Sequence, residues 1–219
     1  MKKSASTSGE YRAAVIGDIV GSRTAVDRRA MHRRLTQTLA TVEKDLPPID
    51  PVVIIAGDEM QISYPSLGDA LQAAFLIRVR MAPDVDVRFG IGWGTVEVLD
   101  PESGAQDGPA WWQARAAIDT VEARAQHPGT RHARFCYRAG PDGEGPGESA
   151  VEAALICRDQ LIGSLSTRSM RILGGLVAGR SKTEIAREEG ISTSAVSQRA
   201  QRDGLDVIVA ASAMLREVG

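Results

Sequence analysis

Two aspartates at the ends of apolar runs carry the clearest chemical signal in this sequence. Asp18 follows the run at residues 13–16, Asp58 follows the run at residues 51–56, and a glycine stands before each acid. Apolar, β-branched runs of this length predict buried strands, so each carboxylate lies at a strand end. In a βαββ unit the hairpin of the second and third strands lies beside the end of the first strand. We therefore expect Asp18 and Asp58 to meet.

Carboxylates gathered at one end of a sheet repel one another unless a cation lies between them. Hard oxygen ligands favour Mg²⁺ or Mn²⁺, and paired acids at strand ends suit phosphoryl chemistry with two metal ions. Glu59 adds a third carboxylate, and Gly17 and Gly57, directly before the aspartates, are assigned to cofactor binding. The competing interpretation is that each aspartate is a turn former or a helix N-cap. Our hypothesis is a metal-phosphate site.

Length and composition are those of a globular protein with a real core. The chain has 219 residues, 43% of them hydrophobic, and a formal net charge of −2, so one ordinary domain and a small second one can form. The polar N-terminus lacks the apolar segment of a signal peptide, and no apolar stretch is long enough to span a membrane. Cys136 and Cys157 have no metal-ligand spacing and make no disulfide framework. We expect reduced thiols and a cytoplasmic location.

Hydrophobic periodicity predicts six elements in the order β-α-β-β-α-β. Apolar residues recur at helical spacing over residues 26–45 and 67–81, and extended apolar segments precede and follow these helices. This is the order of the ferredoxin-like arrangement, an antiparallel sheet with both helices on one face. A further helix near residues 109–125 and a strand at residues 132–137 extend this α+β domain, which we place at residues 11–138.

A break in composition follows the α+β domain. Residues 139–149 contain four glycines and two prolines, and we predict a loop or linker there. Residues 150–219 are predicted to form a second, all-α domain. The chain is therefore expected to have a ferredoxin-like domain followed by a helical one.

Residues 181–202 have the spacing of a helix-turn-helix. Ser181 and Glu184 have capping-box spacing, Gly190 ends the first helix and Ser192 caps the second. Two helices that cross over a three-residue turn need a small residue at the crossing, a glycine in the turn and an apolar anchor in the second helix. The competing interpretation is a helical hairpin that serves only for dimerisation.

The second helix of this motif is predicted to contact DNA, because its exposed side chains can pair with base edges or bind phosphates. Residues 163–219 carry eight Lys or Arg against six Asp or Glu, a net +2, whereas residues 1–162 carry 18 against 22, a net −4. With so few charges, specific binding is expected to need a homodimer that spans two half-sites. The residues assigned to DNA binding are Thr193, Ser194, Ser197, Gln198, Arg199 and Arg202.

Two further segments bear on a ligand site. Residues 88–94 alternate glycine with bulky residues, which clears one face of a strand so that a ligand or a helix can approach. Close helix packing is the favoured interpretation, and a cofactor over Gly90 and Gly92 is the alternative. In the next helix Trp111 can flank a base, although core packing is commoner for tryptophan. Arg115 has a guanidinium suited to phosphate oxygens, with a plain surface arginine as the default.

Taken together, these segments resemble the SatD family of bacterial proteins over nearly the whole chain. The segments that carry the resemblance are Ile-Gly-Asp-Ile-Val-Gly-Ser-Arg23, Ala-Gly-Asp-Glu-Met-Gln61, Arg-Phe-Gly-Ile-Gly-Trp-Gly94, Asp-Gly-Pro-Ala-Trp-Trp-Gln-Ala-Arg115 and the terminal Thr-Glu-Ile-Ala and Ser-Ala-Val-Ser-Gln-Arg199. The same blocks resemble class III nucleotidyl cyclases and GGDEF-type cyclases, whose ferredoxin-like core holds two metal ions.

The cyclase resemblance implies roles for individual residues. It implies that Asp18 and Asp58 bind metal, with the Ile19 backbone and Glu59 as further ligands. It also implies that Arg115 is the catalytic arginine that holds the triphosphate. Trp111 stands where cyclases have an asparagine, and no lysine that would select a purine is evident.

Two functions follow from these patterns. The first is a DNA-binding transcriptional regulator whose N-terminal nucleotidyl-cyclase-like domain binds a nucleotide-like ligand with Mg²⁺ or Mn²⁺, with residues 139–149 as a hinge. The alternative is an active nucleotidyl cyclase or nucleotidyltransferase that uses two metal ions. A scaffold that neither binds nor turns over a ligand is the third interpretation.

Overall fold

The computed structural model describes residues 10–22, 27–55, 58–140 and 145–219. Gly57 and residues 141–144 of the predicted linker lie outside these ranges. In the described part the strands are β1 (Glu10–Ile19), β2 (Val53–Ile55), β3 (Glu59–Tyr64), β4 (Val87–Asp100), β5 (Ala105–Asp107) and β6 (Phe135–Ala139). The helices are α1 (Arg28–Asp45), α2 (Leu67–Met81), α3 (Pro109–Ala125), α4 (Glu148–Gly163), α5 (Thr167–Val177), α6 (Lys182–Glu189), α7 (Thr193–Arg202) and α8 (Leu205–Arg216). The protein is therefore a mixed α+β structure, and its first six elements follow the predicted order.

The sheet is built around β1. β1 pairs antiparallel with β3 on one side and with β4 on the other, and β2 pairs antiparallel with β3 at the edge. At the opposite edge the long strand β4 pairs with β5 near its end and, in parallel, with β6 near its start. The strand order is thus β2-β3-β1-β4, followed by β5 and β6.

The two faces of the sheet are covered by different helices. Alternation along β1 sends Ala13 and Val15 into one apolar cluster and Ala14 and Ile16 into another. The first cluster contains apolar side chains of α1 and α2, so both of these helices lie on one face, as predicted. The second cluster contains the buried side chains of α3, which therefore covers the opposite face.

The stripe of glycines on β4 is covered by α3. A Cβ added at Gly92 would lie 2.1 Å from the carbonyl oxygen of Ala110, and one added at Gly90 would lie 2.3 Å from the backbone nitrogen of Ile118. Both distances are far below van der Waals contact with a rigid helix backbone, so only glycine allows α3 to sit this close. The helix-packing interpretation of residues 88–94 is the one that the structure shows.

Helix α4 covers the free edge of β6 with carboxylates. Glu148 accepts a hydrogen bond from the backbone N–H of Ala139, Glu152 accepts one from Tyr137, and Asp159 accepts those of Arg134 and Phe135. An unpaired strand edge exposes backbone donors that must be satisfied, and here one helix supplies the acceptors. The start of the predicted helical region is therefore joined to the sheet by hydrogen bonds.

Two of the C-terminal helices, α5 and α8, pack on α2. Buried side chains of α5, α6, α7 and α8 belong to the same apolar cluster as the side chains between α2 and the sheet. At Gly68, near the start of α2, an added Cβ would lie 1.9 Å from the carbonyl oxygen of Arg216 at the end of α8. Helix α2 is therefore packed against the sheet on one side and against the C-terminal helices on the other.

Both cysteines of the chain, Cys136 and Cys157, carry free thiols. Cys136 is buried, and its burial, together with the nearby Glu152 carboxylate, raises the pKa of its thiol to about 12. This cysteine therefore stays protonated at neutral pH. None of the helices in the described segments is long and apolar enough to cross a membrane.

We expect Gly92→Ala to destabilise the protein by about 1–3 kcal/mol, because the new methyl group overlaps the α3 backbone. Urea unfolding, followed by circular dichroism, measures the loss from the shift in midpoint. Gly129→Ala is the matched control, since nothing lies within 4 Å of a Cβ at that position, and it is expected to change stability by less than about 0.5 kcal/mol. Equal effects of the two substitutions would contradict the close packing of α3.

Candidate functional site

The candidate site lies at the end of the sheet where β1 finishes. The strand register places Asp18 of β1 opposite Glu59 of β3 and opposite Arg88 of β4. Residues in register across neighbouring strands point to the same face. Asp18 has the same parity along β1 as Ala14 and Ile16, whose side chains pack with α3. These three charged residues therefore point to the α3 side of the sheet.

Two arginines hold two of the carboxylates through paired hydrogen bonds. Arg88 Nε and Nη2 donate to Asp18 Oδ1 and Oδ2 at 2.9 and 2.6 Å. Arg115 of α3 donates from Nη2 and Nη1 to Glu59 Oε1 and Oε2 at 2.7 and 3.1 Å. Forked pairs of this kind are the strongest ordinary ion pairs in proteins. The hydrogen bonds to Asp18 and Glu59 raise the pKa of the Arg88 and Arg115 guanidiniums.

The two ion pairs differ in exposure. The Arg88 side chain is only 11% exposed, and its Nη1 also lies 3.2 Å from Glu122 Oε1 of α3. The Arg115 side chain is 48% exposed and has Asp119 as an additional acidic neighbour. A buried, doubly paired arginine is held in place, whereas an exposed one can exchange its partner. Arg115 is therefore the more available of the two cations.

Asp58 makes a different contact from the one predicted for it. Its carboxylate accepts a hydrogen bond from the hydroxyl of Ser22, a residue just beyond β1. The acid directly across from Asp18 is Glu59, and Asp58 is the next residue towards the hairpin tip. Ile19, whose backbone is a predicted metal ligand, is buried and pairs with Val87 of β4. The register thus brings Asp18 and Glu59 to one sheet end, with Asp58 next to Glu59 in the chain, and the hydrogen-bond partners of these acids are two arginines and a serine.

The donor set at this sheet end suits a hard cation by chemistry, because it consists of carboxylates without cysteine or histidine. It is not arranged as a ready metal site: within the described ranges no group of three His, Cys, Asp or Glu side chains is placed to hold a metal ion. Asp18 and Glu59 each have both oxygens bonded to a guanidinium. Each oxygen keeps a second lone pair, so a metal ion would either share these carboxylates with the arginines or displace an arginine.

Among the described residues, Gly17, Gly90, Gly92 and Trp111, all assigned to a cofactor, have structural partners. The space above Gly90 and Gly92 is filled by the α3 backbone. A Cβ at Gly17 would lie 2.8 Å from the Phe89 ring, on the face covered by α1 and α2. Trp111 is partly buried against the apolar cluster between α3 and the sheet, and its Nε1 donates to Gln106 Oε1 at 3.2 Å. These contacts account for the glycines and for Trp111 by packing.

The second candidate region, at residues 181–202, has the predicted caps. Ser181 and Glu184 form a complete capping box at the start of α6. Gly190 ends that helix with φ 65°, in the left-handed region that favours glycine, and Ser192 caps α7 by accepting from the backbone N–H of Ala195. The two helices are therefore joined by the three-residue turn that the sequence predicts.

The side chains assigned to DNA binding lie on α7 in two groups. Thr193, Ser194, Gln198 and Arg202 are exposed, whereas Ser197 and Arg199 are half-buried. Asp203, at the end of α7, holds both arginines: Arg202 Nε donates to its Oδ1 at 2.7 Å, and Arg199 Nη1 lies 4.0 Å from its Oδ2. The four exposed side chains, together with Gln201, therefore form the accessible face of this helix.

Sequence reasoning did not identify Arg88, Ser22 or Glu122 as residues of the site. Arg88 stands in the glycine-rich strand motif, but its role follows from its register partner, Asp18. One sequence signal was available: Arg88 lies two residues before Gly90 on β4, and therefore on the same strand face as Gly90 and Gly92, which α3 covers. Ser22 stands in the quoted segment that ends at Arg23, but the sequence indicates no partner for it or for Glu122, because their contacts join separate parts of the chain.

We expect a double-mutant cycle of Asp18→Asn and Arg88→Met to give a coupling free energy of about 1–3 kcal/mol in urea unfolding, because the pair is forked and mostly buried. The same cycle on Asp84→Asn and Arg34→Met is the reference. That pair is exposed on both sides, and its coupling is expected to be about 0.2–1 kcal/mol. A coupling free energy between Asp18 and Arg88 no larger than that of the reference pair would contradict the interpretation that Arg88 neutralises Asp18.

Comparisons with known proteins place this chain in a family. Two solved structures are similar to part of it: an adenylate/guanylate cyclase/hydrolase from Silicibacter pomeroyi (20% identity, 51% of this chain and 69% of that chain, TM-score 0.39) and a bacterial light-regulated adenylyl cyclase (14%, 58% and 74%, TM-score 0.40). Both likenesses are distant. No curated protein matches the sequence. The sequence model of the SatD family matches residues 12–216, and the chain therefore belongs to the SatD family.

Proposed function

We propose that the protein binds a nucleoside triphosphate with a divalent cation at the sheet end formed by Asp18, Asp58, Glu59 and Arg115. The observation that carries this proposal is the forked ion pair between Glu59 and the exposed Arg115. A ligand that brings both a cation and a polyphosphate can replace both halves of this pair at once. The Glu59 carboxylate would bind the cation, and the Arg115 guanidinium would bind the phosphates.

The proposal gives each residue a role. Asp18, Asp58 and Glu59 would hold the cation, with the Ile19 carbonyl as a further oxygen ligand. Arg115 would bind the phosphate oxygens, where its planar fork gives two parallel hydrogen bonds. A bound divalent cation would supply charge neutralisation and activation of a ribose hydroxyl. The enzyme form of the proposal is a nucleotidyl cyclase or nucleotidyltransferase, in which Arg115 stabilises charge on the departing phosphates.

The expected result is metal-dependent binding of at least one NTP that Asp58→Asn weakens by about 10–100-fold, the loss of one charged contact. The purified protein is titrated with each of the four NTPs and Mg²⁺ or Mn²⁺ in a calorimeter, and the products are separated by chromatography. A product that Asp58→Asn abolishes supports the enzyme form. Binding without product supports a nucleotide sensor.

Two variants make this experiment specific. Arg115→Met should weaken nucleotide binding by a similar factor and should leave binding of Mn²⁺ alone unchanged or stronger, since it frees Glu59. Asp84→Asn is the matched control, because this exposed aspartate pairs with Arg34 of α1, the helix on the opposite face of the sheet from α3. Nucleotide binding that is absent, or equal in Asp58→Asn and Asp84→Asn, would refute the proposed site.

A second candidate function is DNA binding by residues 181–202, as a helix-turn-helix whose second helix is α7. The specific observation in its favour is the set of exposed side chains on α7 after a capped, three-residue turn. Thr193 and Ser194 lie at the helix start, where hydroxyls can bind phosphate, and Gln198 can pair with an adenine edge. With the nucleotide site, this function makes the protein a transcriptional regulator, cytoplasmic and homodimeric in our proposal.

We expect the protein to bind a fluorescent DNA duplex with an affinity that falls as salt is added. Arg202→Ala should reduce the slope of log affinity against log salt concentration by about one, because one phosphate contact is lost. Gln198→Ala should instead reduce the preference for the best sequence selected from a random pool. Fluorescence anisotropy titrations over a series of salt concentrations measure the slope for each variant. Arg34→Ala, on α1, serves as the control and should leave the slope unchanged. An equal slope for Arg202→Ala and Arg34→Ala would contradict the assignment of α7 to DNA.

The proposed architecture is a ferredoxin-like, nucleotidyl-cyclase-like domain at residues 11–138, a linker at 139–149 and a helix-turn-helix domain at 150–219. The first linker residue ends β6 and the last two begin α4. The antiparallel order β2-β3-β1-β4 supports the first part. The packing of α5 and α8 on α2 gives a direct contact between the sheet domain and the C-terminal helices. A nucleotide-driven change would pass through the α2 interface, because that interface, with α4, holds the helices to the sheet domain.

A further inference from the structure

A buried arginine lies at the point where the C-terminal helices meet the sheet. Arg158 of α4 is 2% exposed, and its guanidinium carbon lies 4.5 Å from the centre of the Phe135 ring of β6 and 5.1 Å from that of Phe75 of α2. Its Nη1 lies 3.5 Å from Ser212 Oγ of α8, which is longer than an ordinary hydrogen bond. Groups from α2, β6, α4 and α8 therefore enclose this guanidinium.

The enclosed guanidinium lacks acceptors. Among the described residues, its Nε and Nη2 have no hydrogen-bond partner, and no carboxylate forms an ion pair with it. The adjacent buried acid, Asp159, already accepts from Arg78 of α2 and from the backbone N–H groups of Arg134 and Phe135. Two buried arginines thus have one buried carboxylate between them, and the charge of Arg158 is left without a partner.

This unpaired charge opposes the docked arrangement of the helices. Burial is the main cause that lowers the pKa of Arg158 to about 10, and the guanidinium of Arg78 adds to it, so Arg158 is still charged at neutral pH. The contacts with the two aromatic rings offset part of the lost hydration. They do not satisfy the unpaired N–H groups, and a buried ion that lacks hydrogen-bond partners is strongly unfavourable.

Helix α8 is the outer wall of the enclosure. It packs on both α2 and α4, and Ser212 is on its buried side. On its other side Val207 and Met214 are 59% and 74% exposed, so α8 has solvent behind it. The remaining three walls are α2, which packs on the sheet, β6, which is a strand of the sheet, and α4, which is hydrogen-bonded to β6. Of the four walls, α8 is therefore the one that can move away while the sheet stays intact.

We propose that α8 is a releasable helix, whose docking buries the unpaired charge of Arg158 and whose departure returns that charge to water. The buried charge lowers the free energy of opening, so α8 detaches locally while the sheet stays folded. Because α7 leads into α8 through Asp203 and Gly204, release of α8 also loosens the hold on residues 181–202. The inference depends neither on nucleotide binding nor on DNA binding.

The test is native-state hydrogen exchange of the full chain, read for the amides of α8 and of β1. In the unchanged protein the α8 amides are expected to exchange faster than those of β1, because they need only the local opening. Arg158→Met keeps an apolar stem and removes the charge. It should slow exchange in α8 by about tenfold or more, the effect of removing an uncompensated buried ion.

Arg78→Met is the matched control. Arg78 is also buried and also lies over the Phe135 ring, but it is paired with Asp159. Its removal leaves a buried carboxylate without its cation, so exchange in α8 should become faster, opposite to the effect of Arg158→Met.

Ser212→Asp tests the charge directly. The new carboxylate would lie beside Arg158 Nη1 and supply the missing partner, so this variant should also slow exchange in α8. The double variant with Arg158→Met would bury an unpaired acid instead, and should exchange faster than either single variant. Circular dichroism checks that each variant is folded, and if Ser212→Asp does not fold, the opposite effects of Arg158→Met and Arg78→Met decide the matter.

Three results would overturn the proposal. The first is exchange in α8 as slow as in β1 in the unchanged protein, because α8 would then open only when the whole chain unfolds. The second is exchange in α8 that Arg158→Met leaves unchanged or makes faster. The third is a double variant that exchanges at the rate of Arg158→Met alone, because the charge at this position would then have no effect.

Discussion

The contact between the glycines of β4 and the backbone of α3 is the constraint on which the candidate site depends. Without side chains at Gly90 and Gly92, α3 lies directly on the sheet, at distances that no Cβ would permit. That close position carries Arg115 to Glu59 and Glu122 to Arg88. A methyl group on the strand would push the helix outwards and lengthen both contacts together. The geometry of the site thus depends on the lack of side chains at Gly90 and Gly92, which fixes the position of α3.

Charge at the sheet end is balanced within the protein. Asp18 and Glu59 lie opposite each other across two strands, and each has a guanidinium that bonds to both of its oxygens. This removes the repulsion that first suggested a metal ion. It also divides the site into a fixed part around the buried Arg88 and an exchangeable part around the exposed Arg115. A ligand with both signs of charge would act on the exchangeable part.

Helix α2 and helix α4 join the C-terminal helices to the sheet by different forces. α2 is apolar on two sides and buries side chains against the sheet and against α5 and α8. α4 uses carboxylates, which accept backbone hydrogen bonds along the edge of β6. Asp159 also accepts a hydrogen bond from the buried Arg78 of α2, so the two helices share one polar contact. Movement of the C-terminal helices would disturb both sets of interactions.

Local patterns in the sequence determined the order of the first six elements, the boundaries of α2 and α3 to within a residue, and the caps of α6 and α7. These features depend on hydrophobic period, on proline, and on Ser181, Gly190 and Ser192, which act within a few residues. Tertiary structure alone decided that Asp18 faces Glu59, that Arg88 and Arg115 neutralise the two acids, and that α3 is the helix that covers Gly90 and Gly92. The reason is that strand register and the choice of ion-pair partner join residues from about 40 to 70 positions apart. Many arginines and acids in this chain are chemically equivalent candidates for such pairs, and only packing selects among them.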